Sequence, residues 1–324
     1  MNSPAKPCLV VSKCIEFEAC RWNGLKISSW VIKLLKPWVD FIPVCPEVEL
    51  GLGVPRSPLR IVRREGSLRL VDSDNGREFT EAIRDFSSKF LNGIDEVDGF
   101  ILKERSPSCG LKNVKIYPRE GKVAPINSRN PGFFGKAVKK SFPGSPREDE
   151  GRLNNFRIRE HFLTRIFAGA RLRKVFREKS LGALVDFHSD HKLMLMAHNQ
   201  EMLRELGRLV ANRQKLPINR IQEAYREGFL AALAEPPSPG AVINVLMHAL
   251  GYFKKKLSPR EKTFFLESLE DYRNRRVPLG VPITLVSSWI VRFQEPYLAR
   301  QAFFSPYPED LVEVSDSGKG REVK

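Results

Sequence analysis

The sequence predicts an α/β N-terminal domain with a mainly parallel sheet, followed by an all-α C-terminal domain. Three observations carry this prediction. The runs Leu9-Val10-Val11, Phe41-Ile42-Pro43-Val44 and Phe100-Ile101-Leu102 have the length and the Val/Ile content of buried strands. Stretches of helical spacing lie between them, and such alternation of strand and helix favours parallel pairing. In the second half the apolar spacing is helical throughout.

Each element has its own signal. After the first run, Ile27, Trp30, Val31, Leu34 and Leu35 recur at helical spacing until Pro37 stops them. Asp74-Asn75-Gly76 is a turn. Phe79, Ile83, Phe86 and Phe90 mark an amphipathic helix closed by Asn92-Gly93. The Pro- and Gly-punctuated, charged stretch from Phe142 to Gly151 reads as a linker. Beyond it, Leu163, Ile166 and Phe167 belong to one helix, and Leu184 through Val210 read as another. Ile221–Leu233, Val242–Phe253 and Phe264–Tyr272 follow. Ser258, with Pro259 and Glu261 behind it, is an N-cap pattern. The polar tail Ser315–Lys324 reads as disordered.

A chain of 324 residues exceeds the usual single core and favours two domains. The net charge of +16 attracts polyanions and points to nucleic acid as a partner, against the plainer alternative of a solvated basic surface. No targeting segment is evident, and the apolar run Val281–Val291 is broken by Pro282, Thr284 and two serines, so no membrane span is expected. Five cysteines without framework spacing argue against a secreted disulfide scaffold and for the reducing cytoplasm. All five precede residue 110, whereas all five histidines follow residue 160, which again suggests two units.

Cys14, Cys45 and Cys109 each lie just beyond one of the three apolar runs. Ligand sites in parallel sheets form outside the carboxyl ends of strands, so these thiols are expected to converge. Three soft ligands suggest a metal or iron–sulfur site with one position free for chemistry; the plainer alternative is three ordinary buried cysteines. Cys8 stands on the same strand as Cys14 but roughly 20 Å away at the rise of an extended chain, and reads as core. Cys20 is close enough to be a fourth ligand, which would suit electron transfer or structure better than catalysis. Glu47 follows Cys45 closely and could act as base for water, or else is a charged turn residue. Ser106 and Ser108 flank Cys109 as hydrogen-bonding groups. His188, His191 and His198 are spaced as a possible metal set, although Met194, Met196 and Met202 beside them suggest packing. Basic clusters (Arg171 to Arg177, Lys254-Lys255-Lys256, and Arg273 to Arg276) interleave with Tyr252, Phe253 and Tyr272, as RNA contacts would.

Several motifs go further. Val11-Ser12-Lys13-Cys14, Cys20-Arg21-Trp22-Asn23-Gly24, Val44-Cys45-Pro46-Glu47-Val48, Gly53-Val54-Pro55-Arg56 and Ser106-Pro107-Ser108-Cys109-Gly110 resemble the TudS family of thiouracil desulfidases. Glu150-Gly151-Arg152-Leu153, Phe187-His188-Ser189-Asp190-His191-Lys192, Leu206-Gly207-Arg208-Leu209, Asn244-Val245-Leu246-Met247-His248 and Gly251-Tyr252-Phe253 resemble the helical YbgA-type domain often fused to it. This resemblance implies a [4Fe–4S] cluster held by Cys14, Cys45 and Cys109, with one iron open to the sulfur of a thiolated pyrimidine. It implies Glu47 and Ser106 as catalytic partners, water replacing sulfur without net redox change, and 4-thiouridine in tRNA as the substrate. It assigns residues 1–147 to the desulfidase domain, 148–314 to an RNA-holding helical domain and 315–324 to a tail. One departure stands out: Cys14-Ile15-Glu16-Phe17 replaces the usual Cys-Leu-Leu-Gly, which is expected to set Glu16 and Glu18 beside the cluster. Two rival readings remain: a zinc- or cluster-stabilised RNA-binding module without catalysis, and an electron carrier using Cys20.

Overall fold

The structure, a computed structural model, describes residues 5–121 and 123–312; the tail from Ser315 lies outside the described residues. Two compact units are present, one running to Ala170 and resuming at Asp310, the other spanning Arg171–Glu309. In chain order the first contains β1 (Cys8–Ser12), α1 (Trp30–Leu35), β2 (Asp40–Val44), α2 (Pro46–Glu49), β3 (Leu59–Arg64), β4 (Ser67–Asp72) and α3 (Thr80–Asn92). Then come β5 (Gly99–Leu102), β6 (Val114–Tyr117), β7 (Asn127–Asn130), α4 (Phe133–Ser141) and β8 (Arg147–Asp149). Helix α5 (Phe156–Arg177) contains the division between the units. The second unit continues with α6 (Leu181–Asp190), α7 (Lys192–His198), α8 (Gln200–Val210), α9 (Ile218–Ala232), α10 (Pro239–Phe253), α11 (Pro259–Arg273), α12 (Gly280–Phe293) and α13 (Pro296–Ala299).

The three apolar runs form three adjacent strands of a parallel sheet in the order β2-β1-β5-β8, with β2 and β8 at its edges. Ser12 pairs with Val44 and Leu102 with Asp149, so the carboxyl ends lie along one edge. The chain moves from β1 to β2 on one side and to β5 on the other. That reversal opens a crevice outside the strand ends where ligands bind in such sheets. The fourth strand falls inside the stretch that reads as a linker. Its three residues, Arg147-Glu148-Asp149, sit at an edge, where a short charged strand is normal and no apolar run is needed.

A second, mixed sheet (β4-β3-β6-β7) was not legible in the sequence. β3 and β4 form a hairpin through Glu65 and Gly66, both at positive φ. β7, Asn-Ser-Arg-Asn, is almost wholly exposed and lacks any strand-like apolar signal. Val10, Val44, Phe100 and Leu102 of the first sheet pack with Leu91 of α3 and with Phe134 and Val138 of α4. Leu59, Ile61, Leu70, Val114 and Ile116 of the second sheet pack with Ile83 of α3.

The single helix expected from Leu184 to Val210 is three helices. His191 ends α6, and Asn199, in an extended conformation, accepts the Met202 N–H at 2.9 Å and caps α8. An Asn side chain competes well for backbone donors, so it starts a new helix rather than continuing the old one. The expected cap of α11 is present as a reciprocal capping box: Ser258 Oγ accepts from Glu261 N at 3.3 Å and Glu261 accepts from Ser258 N at 2.7 Å. No helix among the described residues is long and apolar enough to cross a membrane.

Candidate active site at the sheet edge

Cys14, Cys45 and Cys109 all lie in the crevice side of the parallel sheet, and Cys20 joins them. All four are buried, Cys20 completely. Cys45 is the hub, acting electrostatically on each of the other three. Burial first, and then Cys45, push the Cys14 and Cys20 thiols up to about 12; Cys109 is raised in the same way. Thiols so raised keep their protons at neutral pH unless a cation offsets the charge. Cys8 lies at the opposite end of β1, half-buried, with its backbone N–H donating to Asp98 at 2.8 Å.

Cys45 and Cys109 are delivered by different devices. Cys45 directly follows β2 and precedes Pro46, whose fixed φ suits the first position of α2. Cys109 sits in a turn whose carbonyls are gripped by the start of α4: Phe133 N donates to Pro107 O and Gly135 N to Ser108 O, each at 3.1 Å, and Gly132 N donates to Gly110 O at 2.7 Å. Glycine is required at 132, because a Cβ there would stand 2.5 Å from the Ser108 carbonyl oxygen.

Beside the thiols stands Glu47, its carboxylate held from both oxygens. Arg56 places Nη2 and Nε on Oε2 at 2.7 and 3.0 Å, and Ser108 Oγ donates to Oε1 at 2.6 Å. Both Arg56 and Glu47 side chains are buried, so the pair is only weakly screened by water. Arg56 Nη1 also donates to the carbonyls of Cys20 and Gly53, at 3.1 and 3.2 Å, tying the Cys20 loop to the same guanidinium. Ser106 takes a different position from that of Ser108. Its Oγ accepts the backbone N–H of Cys109 at 3.1 Å and of Ser108 at 3.3 Å, and lies 2.9 Å from Ser108 Oγ. Because Ser108 gives its proton to Glu47, the hydroxyl of Ser106 is the donor between the two serines. A hydroxyl chain thus runs from Ser106 through Ser108 to Glu47. Lys103 pairs with Glu150, and the two act in opposite senses on Cys14, the lysine lowering its pKa and the glutamate raising it.

The two acids of the departing motif do not share one orientation. Glu16 turns to the start of α1, where it accepts the Ser29 N–H at 2.5 Å. Burial alone would raise its carboxyl, but hydrogen bonds from Ser29 and Ser28, with Lys33 nearby, hold it below the usual range. Glu18 pairs with Lys13 at 2.5 Å and still acts on Cys20. Glu16 is therefore a helix-start acid.

The histidines are not gathered as a metal set among the described residues. His191 Nδ1 donates to Phe187 O at 2.8 Å and His198 Nδ1 to Met194 O at 2.9 Å, each one helical turn back, while His188 Nδ1 lies 3.1 Å from the Tyr225 hydroxyl. The site residues that spacing did not reveal are Arg56 in its role on Glu47, Ser108 as the direct partner of that carboxylate, and Gly132. The Gly53-Val54-Pro55-Arg56 motif, close behind the Cys45-Pro46-Glu47 turn, was the available signal for the first.

The donor set suits an iron–sulfur cluster: buried thiols brought together from the loops that follow separate strands. No three His, Cys, Asp or Glu side chains among the described residues close on a single metal ion. Thiolates of a multi-iron cluster bind different iron atoms and need not share one point.

A family model described as 2-thiouracil desulfurase matches residues 9–150, and one described as a protein of unknown function (DUF1722) matches residues 192–308. The "Uncharacterized protein YbgA" of Escherichia coli (strain K12) is 31% identical over 169 residues, covering 51% of this chain and 99% of that protein. The "Uncharacterized protein YbbK" of Bacillus subtilis (strain 168) is 32% identical over 110 residues, covering 32% of this chain and 72% of that protein. The solved [4Fe-4S]-dependent thiouracil desulfidase TudS is 23% identical, covers 46% of this chain and 93% of its own, and superposes with a TM-score of 0.37, too loosely for its geometry to be carried over. The chain therefore belongs to the 2-thiouracil desulfurase family through its first region and to the YbgA (DUF1722) family through its helical one.

Proposed function

We propose that this chain replaces the sulfur of thiolated uridine in tRNA, 4-thiouridine being the expected form, with oxygen from water. Cys14, Cys45 and Cys109 would hold a [4Fe–4S] cluster, and Glu47 and Ser106 would serve the chemistry. The cluster, when bound, supplies a Lewis-acidic iron that can take the substrate's sulfur. Glu47 receives a proton from the attacking water. Arg56 fixes that carboxylate through Oε2, and Ser108 orients Oε1. Ser106 feeds the same chain of hydroxyls and can hold the pyrimidine's carbonyl or sulfur. The carbon–oxygen bond forms, the carbon–sulfur bond breaks, and the protons of water leave with the sulfur as hydrogen sulfide, so no electrons are gained or lost.

One observation carries this reading: a carboxylate pinned at both oxygens beside a set of buried thiols at a parallel-sheet crevice. Family membership supports a thiolated nucleobase as the reacting group. The net charge of +16 supports a polyanionic carrier such as tRNA, and five cysteines without framework spacing support action in the reducing cytoplasm. In this division of labour residues 1–147 carry the reaction and 148–314 hold the RNA.

Anaerobically purified protein incubated with thiolated tRNA should yield uridine and sulfide in equal amounts, with iron and acid-labile sulfide in the protein. Stoichiometric zinc, RNA binding and no turnover would instead establish the binding-module reading. Retention of thiouridine by an iron-loaded protein that desulfurates free thiouracil would overturn tRNA as substrate.

A further inference from the structure

Helices α8 and α10 border a depression of about 520 Å³ whose polar lining is Gln200, Arg204, Asn244 and His248. A second depression, of about 820 Å³, begins at the same Arg204 and continues past Arg208 and Arg213. No carboxylate lines either one among the described residues, although acidic residues are common on the neighbouring helix surfaces. On α10, Asn244, His248 and Tyr252 follow one another at intervals of four and so share a face. Tyr252, 45% exposed, lies parallel to Tyr297 with ring centroids 5.5 Å apart and planes 11° apart. Lys254, Lys255 and Lys256, all exposed, come next, with Lys256 standing 5.4 Å over the Phe293 ring.

The order along this surface is three guanidinium groups, an amide-and-imidazole pocket, an aromatic plate and three ammonium groups. An acidic peptide would use the cations but would leave the stacked tyrosines and the amide pocket idle. A closed duplex would offer phosphates but no free base face. An unpaired nucleotide strand uses every part: phosphates for the cations, hydrogen-bonding edges for Asn244 and Gln200, and a π-face for Tyr252.

We propose that this track binds an unpaired stretch of RNA, with backbone phosphates along Arg204, Arg208 and Arg213, one base in the Asn244–His248 pocket and the next stacked on Tyr252. The assignment rests on RNA as the carrier of the substrate, as proposed above, but not on desulfuration taking place.

The test uses the full chain and a short, unmodified RNA without sulfur, followed by fluorescence anisotropy across a salt series. Arg204→Gln with Arg208→Gln should weaken binding about tenfold or more and make the salt slope shallower by about 1.4, the value for two single-strand phosphates. Tyr252→Ala should weaken it about tenfold with an unchanged slope, since stacking releases no counterions. Arg84→Gln, on α3 of the first unit, should alter affinity less than about twofold. Ultraviolet cross-linking of the unsubstituted protein should put adducts within residues 200–213 and 244–256, which keeps the test decisive even if a variant misfolds. Binding by both track variants within about twofold of the unaltered chain, equal affinity for a duplex, equal competition by polyglutamate, or adducts confined to other segments would each overturn the track. Desulfuration can fail while the track binds, and free thiouracil can react while the track does not, so the two readings are separable.

Discussion

The thiol edge of the first unit and the histidine group of the second both look, in sequence, like places for a metal. They differ in where their lone pairs and protons go. His191 and His198 each spend Nδ1 on a backbone carbonyl one turn back, and His188 meets a tyrosine hydroxyl. The thiols of Cys14, Cys20 and Cys109 gather around Cys45, each of the three raised first by burial and then by the charge of Cys45. Buried ligand-type side chains with satisfied partners hold a fold together. Those that share a crevice and repel each other's charge call for a cation.

The sharpest way to break this comparison is to remove the hub. Cys45→Ala should abolish both the visible absorbance of the anaerobically purified protein and its desulfidase activity, whereas His198→Ala should leave iron content intact. Equal iron in the two variants would erase the distinction. Glu47→Gln tests the next level. It should keep the absorbance and lower turnover by about 10²–10⁴, the range for loss of a general base. Ser108→Ala, which removes only the donor to Oε1, should cost about tenfold or less. If Glu47→Gln lost its iron, the carboxylate would be structural.

A smaller effect sharpens the other half. Burial first, and then Arg171, lower the His191 pKa from 6.5 to about 3, so the folded helical unit keeps this ring neutral. Below pH 6.5 the unfolded chain takes up a proton that the folded one refuses. Stability from this group is therefore complete above that pH and falls by about 1.4 kcal/mol per unit as pH drops toward 3. Urea titrations at pH 7.5 and 5.0 should show about 2 kcal/mol lost from the helical unit, and His191→Gln should flatten that dependence. A midpoint equally acid-sensitive in the variant would assign the loss to other groups. Smallest of all, Cys8→Ala should spare absorbance and activity, because its side chain stands at the far end of β1. Loss of colour there would undo the ligand assignment.

Much of the first sheet was legible because strands buried on both faces, as β1 and β5 are, have to be written as continuous apolar runs, and the less buried edge strand β2 carries one too. β8 was not, since an edge strand of Arg-Glu-Asp carries no such run. The second sheet escaped for the same reason: β7 is polar, and β3 and β4 mix arginines with their apolar positions. The break at Asn199 had a readable signal, an N-cap residue inside a helical pattern, which the strong apolar spacing around it overrode.

Residue order alone places three thiols after three strands, sets Glu47 next to one of them, and fills the second half with helices. These are local matters of spacing, propensity and capping. Folding across the chain is what lets Arg56 and Ser108 clamp Glu47, turns Glu16 to a helix start, brings Cys20 into the thiol set, and places His188 against Tyr225 while His191 and His198 bond carbonyls one turn back. Hydrogen-bond partners are chosen by which groups folding brings within about 3 Å, and residues far apart along the chain carry no mark of that proximity.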